Sequence, residues 1–355
     1  MQSKAAFGEY GSRGIAMRHL ITGGSGFIGN LAARRLRERG EEVRLLDIWE
    51  DPSRPSDIEF LQGSVLNQDA LATAMRGVDI VHHNAALVAQ TSAGNDYWAV
   101  NVEGTRFVAE AAAKARVKAF VHISTTAVYG IPPAGPITAS TVMNPVEPYG
   151  RSKLAGEQVA QEVCGSNGIP LITIRPRATL GAGRLGIFQI LFQWISEDRN
   201  IYVIGDGSNR IQFIHAHDLM DFYMIALDSG RPGTYNVGTD AFGTLRGDLD
   251  ELIAYAGSTS RVRGLPPPLA INALRILHFL RISPLVPWHY LTYHHDCYFD
   301  VAPLFAMGWR PQYSNAAMLR ESFDWYRSSS RATFAASPHR SPLGQGILAL
   351  VRRFS

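Results

Sequence analysis

Hydroxyl side chains and a lysine are the residues of this chain best suited to chemistry. An apolar stretch ends in Ser124, Thr125 and Thr126, and Tyr149 and Lys153 follow in the segment EPYGRSK. Tyr149 and Lys153 are four residues apart, so they share one face of a predicted helix. A free tyrosine titrates near about pH 10, but a nearby ammonium favours the phenolate and lowers its pKa. The pair therefore predicts proton removal from a secondary alcohol, with Tyr149 as general base.

A glycine-rich loop near the N-terminus predicts a dinucleotide site. The motif TGGSGFIGN, at 22–30, lies between a predicted strand and a predicted helix. Its first spaced glycine permits a tight turn, the second lets backbone approach a pyrophosphate, and the third lets the helix pack closely on the strand. The N–H groups at the start of that helix would face the phosphates. The loop residues assigned to the cofactor are Gly23, Gly26, Phe27, Ile28 and Gly29.

Asp47 ends the second predicted strand, EEVRLLD, and favours NAD as the cofactor. A carboxylate at this position accepts hydrogen bonds from both ribose hydroxyls and repels a 2′-phosphate. Arg44 and Arg54 are close in sequence, so NADP stays open as the less favoured alternative.

Strand and helix patterns alternate over the first two thirds of the chain. This predicts an α/β fold, a Rossmann-type doubly wound parallel sheet with a smaller C-terminal substrate-binding lobe. We expect a disordered, dispensable extension at 1–16 and an NAD-binding domain with the catalytic residues at 17–175. The lobe, interleaved with the sheet, would occupy 176–328, and a tail 329–355. The predicted strands of the sheet are His19–Thr22, Glu42–Asp47, Val78–His83, Lys118–Ser124 and Leu171–Arg175.

Composition is typical of a globular enzyme. The 355 residues are 46% hydrophobic and 18% charged, and the net charge of +3 is too small to indicate a nucleic-acid partner. Cys164 and Cys297 make no disulfide framework, and no Cys/His spacing indicates a metal site, so a reducing, cytoplasmic location is expected. The apolar stretches 266–288 and 343–355 have two interpretations: helices packed on the core, or a surface that meets a membrane or a lipophilic substrate.

These motifs together resemble extended short-chain dehydrogenase/reductases of the NAD-dependent epimerase/dehydratase family, over about Arg18 to Tyr326. The loop has the family's glycine spacing, and YGRSK matches Y-x-x-x-K. FIHAHDL at 213–219, TYNVG at 234–238 and MGWRP at 307–311 resemble its C-terminal landmarks. The resemblance implies a homodimer acting on a small molecule. It also implies cofactor contacts from Ser64, Val65, Asn84, Ala85, Ala86, Asn101, Ser124, Tyr149, Lys153 and Pro176.

The same resemblance assigns the catalytic hydroxyl. In the family this Ser or Thr stands four residues before the tyrosine of V-Y-G, which selects Thr125 over Ser124 as the group that bonds the reacting substrate oxygen. The family's 4,6-dehydratases carry an Asp-Glu pair directly after it, and its decarboxylases carry a Glu. Thr126 and Ala127 occupy these positions here, so both reactions are disfavoured.

The resemblance leaves two substrate classes open. The frequency of sugar enzymes in the family favours a nucleotide-sugar epimerase, as do Arg177, Arg184 and Arg210, which could meet phosphates. Ala178 stands where many nucleotide-sugar enzymes have an Asn, and with the apolar segment 269–288 it favours a 3β-hydroxysteroid-type or other lipophilic-alcohol dehydrogenase that releases NADH. We favour the first, with the cofactor retained through the cycle.

Overall fold

The computed structural model describes residues 16–329 apart from 90–93, 95, 281–282, 284 and 286. The predicted extension and tail, including the stretch 343–355, therefore lie almost wholly outside the described residues. The strands, in chain order, are β1 (Arg18–Thr22), β2 (Glu42–Asp47), β3 (Glu59–Gln62), β4 (Ile80–His83), β5 (Ala119–Ile123), β6 (Leu171–Pro176), β7 (Ala178–Leu180), β8 (Ile201–Ile204), β9 (Phe213–His215), β10 (Gly233–Val237) and β11 (Val262–Leu265).

Helices connect these strands and cover them. In chain order they are α1 (Phe27–Glu38), α2 (Gln68–Ala74), α3 (Asp96–Trp98), α4 (Thr105–Ala115), α5 (Pro148–Ser166), α6 (Phe188–Ser196), α7 (Ala216–Ser229), α8 (Leu245–Ala256), α9 (Pro267–Phe279), α10 (Pro287–Thr292), α11 (Ala302–Phe305) and α12 (Asn315–Ser328). A π-helical segment, Ala99–Gly104, joins α3 to α4, and a 3₁₀ turn, Thr126–Tyr129, follows β5.

Seven strands form one parallel sheet in the order β3-β2-β1-β4-β5-β6-β10. The order reverses between β1 and β4, which in such sheets is the point where ligands bind, outside the carboxyl ends of the strands. Strand β5 is buried along its whole length because both faces of the sheet are covered. The predicted Rossmann-type parallel sheet is confirmed.

Two apolar layers hold the sheet between helices. One layer joins α1 and α7 to the sheet through residues such as Ile21, Leu36 and Phe222. The other joins α2, α4 and α5 to the opposite face through residues such as Leu20 and Phe120. A third cluster, formed mainly by α6, α8 and α12 with β8, lies in the C-terminal part of the chain.

The chain returns to the sheet after a long excursion. Strand β10 pairs with β6 in parallel, with Gly233 opposite Ile172 and Val237 opposite Pro176. Helix α7, just before β10, covers the sheet beside α1, where Arg35 pairs with Asp221 at 2.9 Å. The part of the chain after residue 176 therefore supplies both an edge strand and a covering helix of the sheet.

Most predicted strands differ from the observed ones by one or two residues. Strand β3 was not predicted from the residues because EFLQ is short and half exposed, so it lacks an apolar run. The segment Tyr97–Arg116, predicted as one helix, is α3, the π-helical segment and α4. Single π-helical turns occur often at functional sites, and this one carries Asn101.

Candidate active site

The glycine loop between β1 and α1 leaves no room for side chains at two positions. Gly23 has a φ of 68°, and a Cβ there would lie 2.5 Å from the backbone nitrogen of Ala85. A Cβ on Gly29 would lie 2.3 Å from the carbonyl oxygen of Gly23. At Gly26 the nearest atom to such a Cβ is that same oxygen, at 3.0 Å. Helix α1 begins here without a side-chain cap, so its N-terminus is suited to hold a phosphate.

Asp47 lies at the carboxyl end of β2 and is tied to the glycine loop. Its Oδ2 accepts a hydrogen bond from the backbone N–H of Ser25 at 3.0 Å. Burial raises the pKa of the Asp47 carboxyl, and the N–H groups of Ser25 and Trp49 oppose that rise. The contact with Ser25 fixes the carboxylate where a ribose next to the loop would meet it.

The other residues assigned to the adenosine half surround this loop. The backbone N–H of Asn84 donates to Thr22 at 3.0 Å, so Asn84, Ala85 and Ala86 follow β4 directly beside the loop. Ser64 follows β3 and turns its hydroxyl to the N–H of Leu66. Val65 is buried against Gly104 in the same region, and its contact with the cofactor stays a prediction.

The predicted catalytic hydroxyls are brought together. Thr125 follows β5, and its hydroxyl lies near enough to the phenol of Tyr149, in the first turn of α5, to lower the pKa of that phenol. The Thr125 hydroxyl also accepts the N–H of Ala127, which fixes the rotamer at the start of the 3₁₀ turn. Two neighbouring hydroxyls can both bond one substrate oxygen.

The Tyr149 phenol is held in its neutral form by its surroundings. Burial raises its pKa to about 12; the neighbouring Thr125 hydroxyl lowers it, Glu147 raises it, the Arg184 guanidinium lowers it and Tyr97 raises it. Arg184 is the cation among the groups that most affect this pKa. The part that the sequence assigns to Lys153 stays a prediction.

Lys153 lies one helical turn after Tyr149 and is buried beneath the end of β5. Its Nζ donates to the carbonyl oxygen of Ile123 at 2.7 Å. Burial lowers the pKa of this ammonium to about 8, although the carboxylate of Glu157 raises it. Since an ammonium has three donors, two remain beyond the bond to Ile123.

Two stacked imidazoles lie near Lys153 on the same side of the sheet. The rings of His83 and His122 have centroids 5.4 Å apart. Burial and then the charge of Lys153 lower the pKa of His83 to about 3, and burial followed by Lys153 also lowers the pKa of His122. Both rings are therefore neutral and add no positive charge to the site.

Asn101 is buried and its amide is used within the protein. Its Oδ1 accepts the N–H of Leu87 at 2.8 Å, and its Nδ2 donates to the Leu87 carbonyl and to the Ser152 hydroxyl, both at 3.0 Å. Asn101 thus ties the segment after β4 to helix α5. Through these contacts Asn101 positions the backbone that follows the predicted cofactor residues 84–86.

The two hydroxyls beside Thr125 have other environments. Thr126 is buried and donates to the carbonyl oxygen of Pro176 at 2.8 Å, which joins the ends of β5 and β6. The Ser124 hydroxyl is buried with no hydrogen-bond partner among the described residues. Thr125 is therefore the hydroxyl of this trio that reaches Tyr149.

The three predicted substrate arginines have different environments. Arg177 is buried and donates to the Gln212 carbonyl at 2.8 Å and to the Cys297 sulfur at 2.9 Å, so it lies inside the lobe. Arg184 lies 5.0 Å over the ring of Phe27, the first residue of α1, and close enough to Tyr149 to affect its pKa. Of the two, the structure brings Arg184 to the catalytic hydroxyls.

Arg210 is exposed between two aromatic rings. Its guanidinium carbon lies 4.9 Å from the centroid of Phe242 and 4.4 Å from that of Tyr298. No carboxylate pairs with it among the described residues, so its donors remain available for an anion. Its backbone N–H donates to Asp296 at 2.7 Å.

A cavity of about 470 Å³ lies next to Arg210. Asn209 and Asp296, both in contact with the Arg210 backbone, line it. It is lined by the segments 132–134, 204–209 and 294–296. Since neither Thr125 nor Tyr149 lines it, this cavity suits a distal part of a substrate rather than the reacting carbon.

Two residues of the site were missed from the sequence. Glu147 caps α5 by accepting the N–H groups of Tyr149 at 2.8 Å and Gly150 at 2.7 Å. Tyr97 packs against Tyr149 with ring centroids 6.0 Å apart. An acid directly before a Pro that begins a helix is a capping signal that could have identified Glu147; nothing local to the sequence marks Tyr97.

No cluster of three or more His, Cys, Asp or Glu side chains that could hold a metal occurs in the described part of the chain. None of the helices described is long and apolar enough to cross a membrane.

Residues 19–238 match the model of a known family, described as the NAD dependent epimerase/dehydratase family. The match spans more than half of the chain and includes the glycine loop, Asp47, Thr125, Tyr149 and Lys153. The chain belongs to this family. Its membership confirms the resemblance found in the sequence motifs.

Relatives within the family have several activities. An uncharacterized protein, y4nG, of Sinorhizobium fredii is 36% identical over 340 residues, covering 95% of this chain and 86% of the relative. A UDP-glucose 4-epimerase of Lactobacillus helveticus is 30% identical over 253 residues, covering 63% and 77%. dTDP-glucose 4,6-dehydratases are also among the relatives.

The fold is shared with solved structures. The UDP-glucose 4-epimerase of Thermus thermophilus, solved in complex with NAD, superposes with a TM-score of 0.72 at 24% identity. The alignment covers 88% of this chain and all of that one. At this identity the comparison shows the fold, and the roles of individual residues follow from the geometry above.

Proposed function

We propose that this chain is an NAD-dependent epimerase that acts on a secondary alcohol of a nucleotide sugar. One observation carries the proposal: the Thr125 hydroxyl at the carboxyl end of β5 lies near enough to the Tyr149 phenol to lower its pKa. Lys153 lies one helical turn further along α5. A substrate hydroxyl between Thr125 and Tyr149 would be held and deprotonated by the same pair.

The residues at the sheet edge fit NAD. A side chain at Gly23 or Gly29 would collide with backbone, so these positions keep the loop tight beneath the uncapped start of α1. Asp47 is held beside the loop by Ser25 and would accept the adenosine ribose hydroxyls. The two remaining donors of Lys153 would hold the second ribose. When bound, NAD supplies a positively charged ring that accepts the carbinol hydrogen with its electron pair.

Tyr149 is the proton carrier of the proposed reaction. Burial keeps its pKa at about 12 in the protein alone, so the phenol is protonated at neutral pH and can donate to a ketone. When Tyr149 instead takes the proton of a substrate alcohol, it must act as a phenolate. Additional positive charge near the phenol is needed for this step, because a cation favours the phenolate. The Arg184 guanidinium already acts in this sense. Thr125 holds the substrate oxygen in both oxidation states.

The residues after Thr125 favour epimerisation over elimination. A dehydratase needs acids there to remove and return protons, whereas Thr126 is buried with its hydroxyl on Pro176 and Ala127 is buried without a functional group. Epimerisation requires only the redox half-reaction and its reversal. We therefore infer that the cofactor stays bound and is regenerated in each turnover.

Arg210 and the neighbouring cavity support a nucleotide sugar as substrate. A guanidinium supported by two aromatic rings and without an acidic partner among the described residues suits a phosphate. The cavity of about 470 Å³ beside it has room for the nucleoside end. The second candidate, a lipophilic-alcohol dehydrogenase, keeps support from Ala178 and from the apolar residues of α9.

The test combines cofactor analysis with a substrate panel. We expect purified protein to release NAD on denaturation and to interconvert one UDP- or dTDP-hexose pair, followed by chromatography, without net absorbance change near about 340 nm. Tyr149→Phe should abolish turnover and retain NAD. Tyr255→Phe is a matched control, because Tyr255 is half exposed and its hydroxyl bonds Asp324 in a different part of the fold.

Variants of Arg210 and Arg184 would distinguish an effect on substrate binding from an effect on the chemical step. Arg210→Ala should raise KM about tenfold or more with little change in kcat, since a charge-assisted hydrogen bond contributes about 1.5–3 kcal/mol. Arg184→Ala should lower kcat. Protein that contains no NAD, ignores every sugar nucleotide and steadily produces NADH from a sterol would overturn the epimerase proposal in favour of the second candidate.

A further inference from the structure

Helix α9 and Leu280, the residue that follows it, present apolar side chains to solvent in one stripe. Leu269 is 69% exposed, Ile276 60%, Phe279 85% and Leu280 55%. With about 100° of rotation per residue, these positions fall within about 100° of one another, so they lie on one side of the helix. The opposite side, which includes Ala270, packs on the protein, so the stripe is additional to the core-facing side. Single exposed apolar residues are ordinary, but a contiguous stripe indicates a binding surface.

The segment that carries this stripe has charge of one sign. The sequence from 252 to 295 contains no Asp or Glu and has four arginines, at 261, 263, 275 and 281. Arg275 lies on α9 itself, between the apolar positions. An apolar stripe with an arginine beside it, in a segment without acids, fits a surface that is apolar within and negatively charged at its boundary.

We propose that α9 binds the surface of an anionic lipid membrane, lying in its plane with Leu269, Ile276, Phe279 and Leu280 inserted among the acyl chains. The helix has 13 residues, about 20 Å in length, which is too short to cross a bilayer and ample to lie in the interface. Arg275 would meet the lipid phosphates at the boundary. This inference does not depend on the proposed function.

The charge of the chain argues against two other partners for this stripe, a second copy of the chain and its own C-terminal segment. A second copy of the chain would bring its own Arg275 against this one, and the two charges would repel each other. The C-terminal segment 330–355 is apolar in part, but it also contains four arginines and no acid. A bilayer that contains anionic lipid offers opposite charge together with an apolar interior.

The surface lies next to the cavity that the proposed function assigns to the substrate. Pro267, the first residue of α9, lies within 4.0 Å of the place a Cβ would occupy on Gly205, which lines that cavity. Binding of α9 to a membrane would therefore hold the mouth of the substrate site close to the lipid surface.

The experiment is co-sedimentation of the full chain with vesicles. One set contains phosphatidylcholine, and the other contains phosphatidylcholine with phosphatidylglycerol. We expect binding to the second set that weakens as salt is raised. Ile276→Ser combined with Phe279→Ser should lower the partition coefficient about tenfold or more, from the apolar area lost. Arg275→Glu should lower it about fivefold or more.

Matched controls test that the effect belongs to α9. Val142→Ser removes an apolar side chain that is 79% exposed on a different segment, and Arg231→Glu makes the same charge change outside α9; both should bind as the parent does. Melting temperature and NAD binding establish that each variant is folded, and Leu280→Ser replaces the double variant if that one is not.

Three results would overturn the proposal. The first is equal binding to both vesicle sets or to neither. The second is unchanged binding by the α9 variants, which would place the membrane contact elsewhere in the chain. The third is a concentration-dependent dimer, formed without vesicles and lost in the Phe279→Ser protein, which would show that a second copy covers the stripe.

Discussion

Replacing Lys153 with Met should make the protein more stable at neutral pH, although it removes a residue of the proposed active site. The Lys153 ammonium is buried, and burial lowers its pKa from 10.5 to about 8. At about 1.4 kcal/mol per pH unit, this fall corresponds to about 3 kcal/mol of cost for the charged form in the folded protein. Met has a similar length and no charge, so it avoids that cost.

The variant also loses the hydrogen bond from Nζ to the Ile123 carbonyl. This loss offsets about 1 kcal/mol of the stability gained by removing the buried charge. We therefore expect Lys153→Met to raise the free energy of unfolding by about 2 kcal/mol at pH 7.

The pH dependence has a definite sign. Below about pH 8 Lys153 is charged in both the folded and the unfolded chain, so the cost of burial is complete. Between about 8 and 10.5 the folded protein loses this proton before the unfolded chain does, and the advantage of Met shrinks. Above that range the lysine is neutral in both states, and the variant should be the less stable by the missing hydrogen bond.

Urea denaturation of nucleotide-free protein measures this difference at pH 7, 9 and 10.5 for parent and variant. Lys118→Met is the control, because Lys118 is partly exposed and pairs with Asp79 at 2.8 Å, so its loss should not stabilise. A Lys153→Met protein that is less stable than its parent at pH 7, or whose advantage does not change with pH, would refute the reasoning.

Three further substitutions test other parts of the site. Asp47→Ala should narrow the ratio of NAD to NADP affinity about tenfold or more, measured by titration, since the ribose acceptor and the repulsion of a 2′-phosphate disappear together; a parent that prefers NADP would contradict this. Glu157→Gln should lower the free energy of unfolding by about 3 kcal/mol, because it leaves Arg175 charged and buried without its partner; a loss under about 1 kcal/mol in urea would argue against it. Gly29→Ala should abolish NAD binding, because its Cβ would lie 2.3 Å from the Gly23 carbonyl oxygen; normal affinity by calorimetry would show that the loop can shift.

The sheet could be predicted from the sequence because its central strands are continuous apolar runs and its glycine loop has a fixed spacing. The pairing of β10 with β6 could not, since Gly233 and Thr234 are exposed and a parallel pairing over a long separation leaves no local pattern. The strands of the lobe were harder still to predict from the sequence, because β7, β8, β9 and β11 have three or four residues each.

The motif spacing correctly placed Thr125 near Tyr149, since the Thr125 hydroxyl acts on the pKa of the Tyr149 phenol. It could not reveal that Arg184 is the described cation that acts on the phenol, because Arg184 comes from a loop after β7 and reaches the site through tertiary packing. Nor could it distinguish Arg177, enclosed in the lobe, from Arg210, exposed between two rings.

The late return of β10 to the sheet has a consequence for how the protein folds. Strand β6 stays an open edge until residues 233–237 have been synthesised and have closed a long loop around the lobe. An open edge with buried residues such as Ile172 and Ile174 is a site for aggregation. A fragment that stops at residue 175 would keep that edge open permanently. The cofactor-binding sheet and the lobe are therefore expected to fold and unfold as one cooperative unit, and the lobe cannot be removed to study the sheet alone.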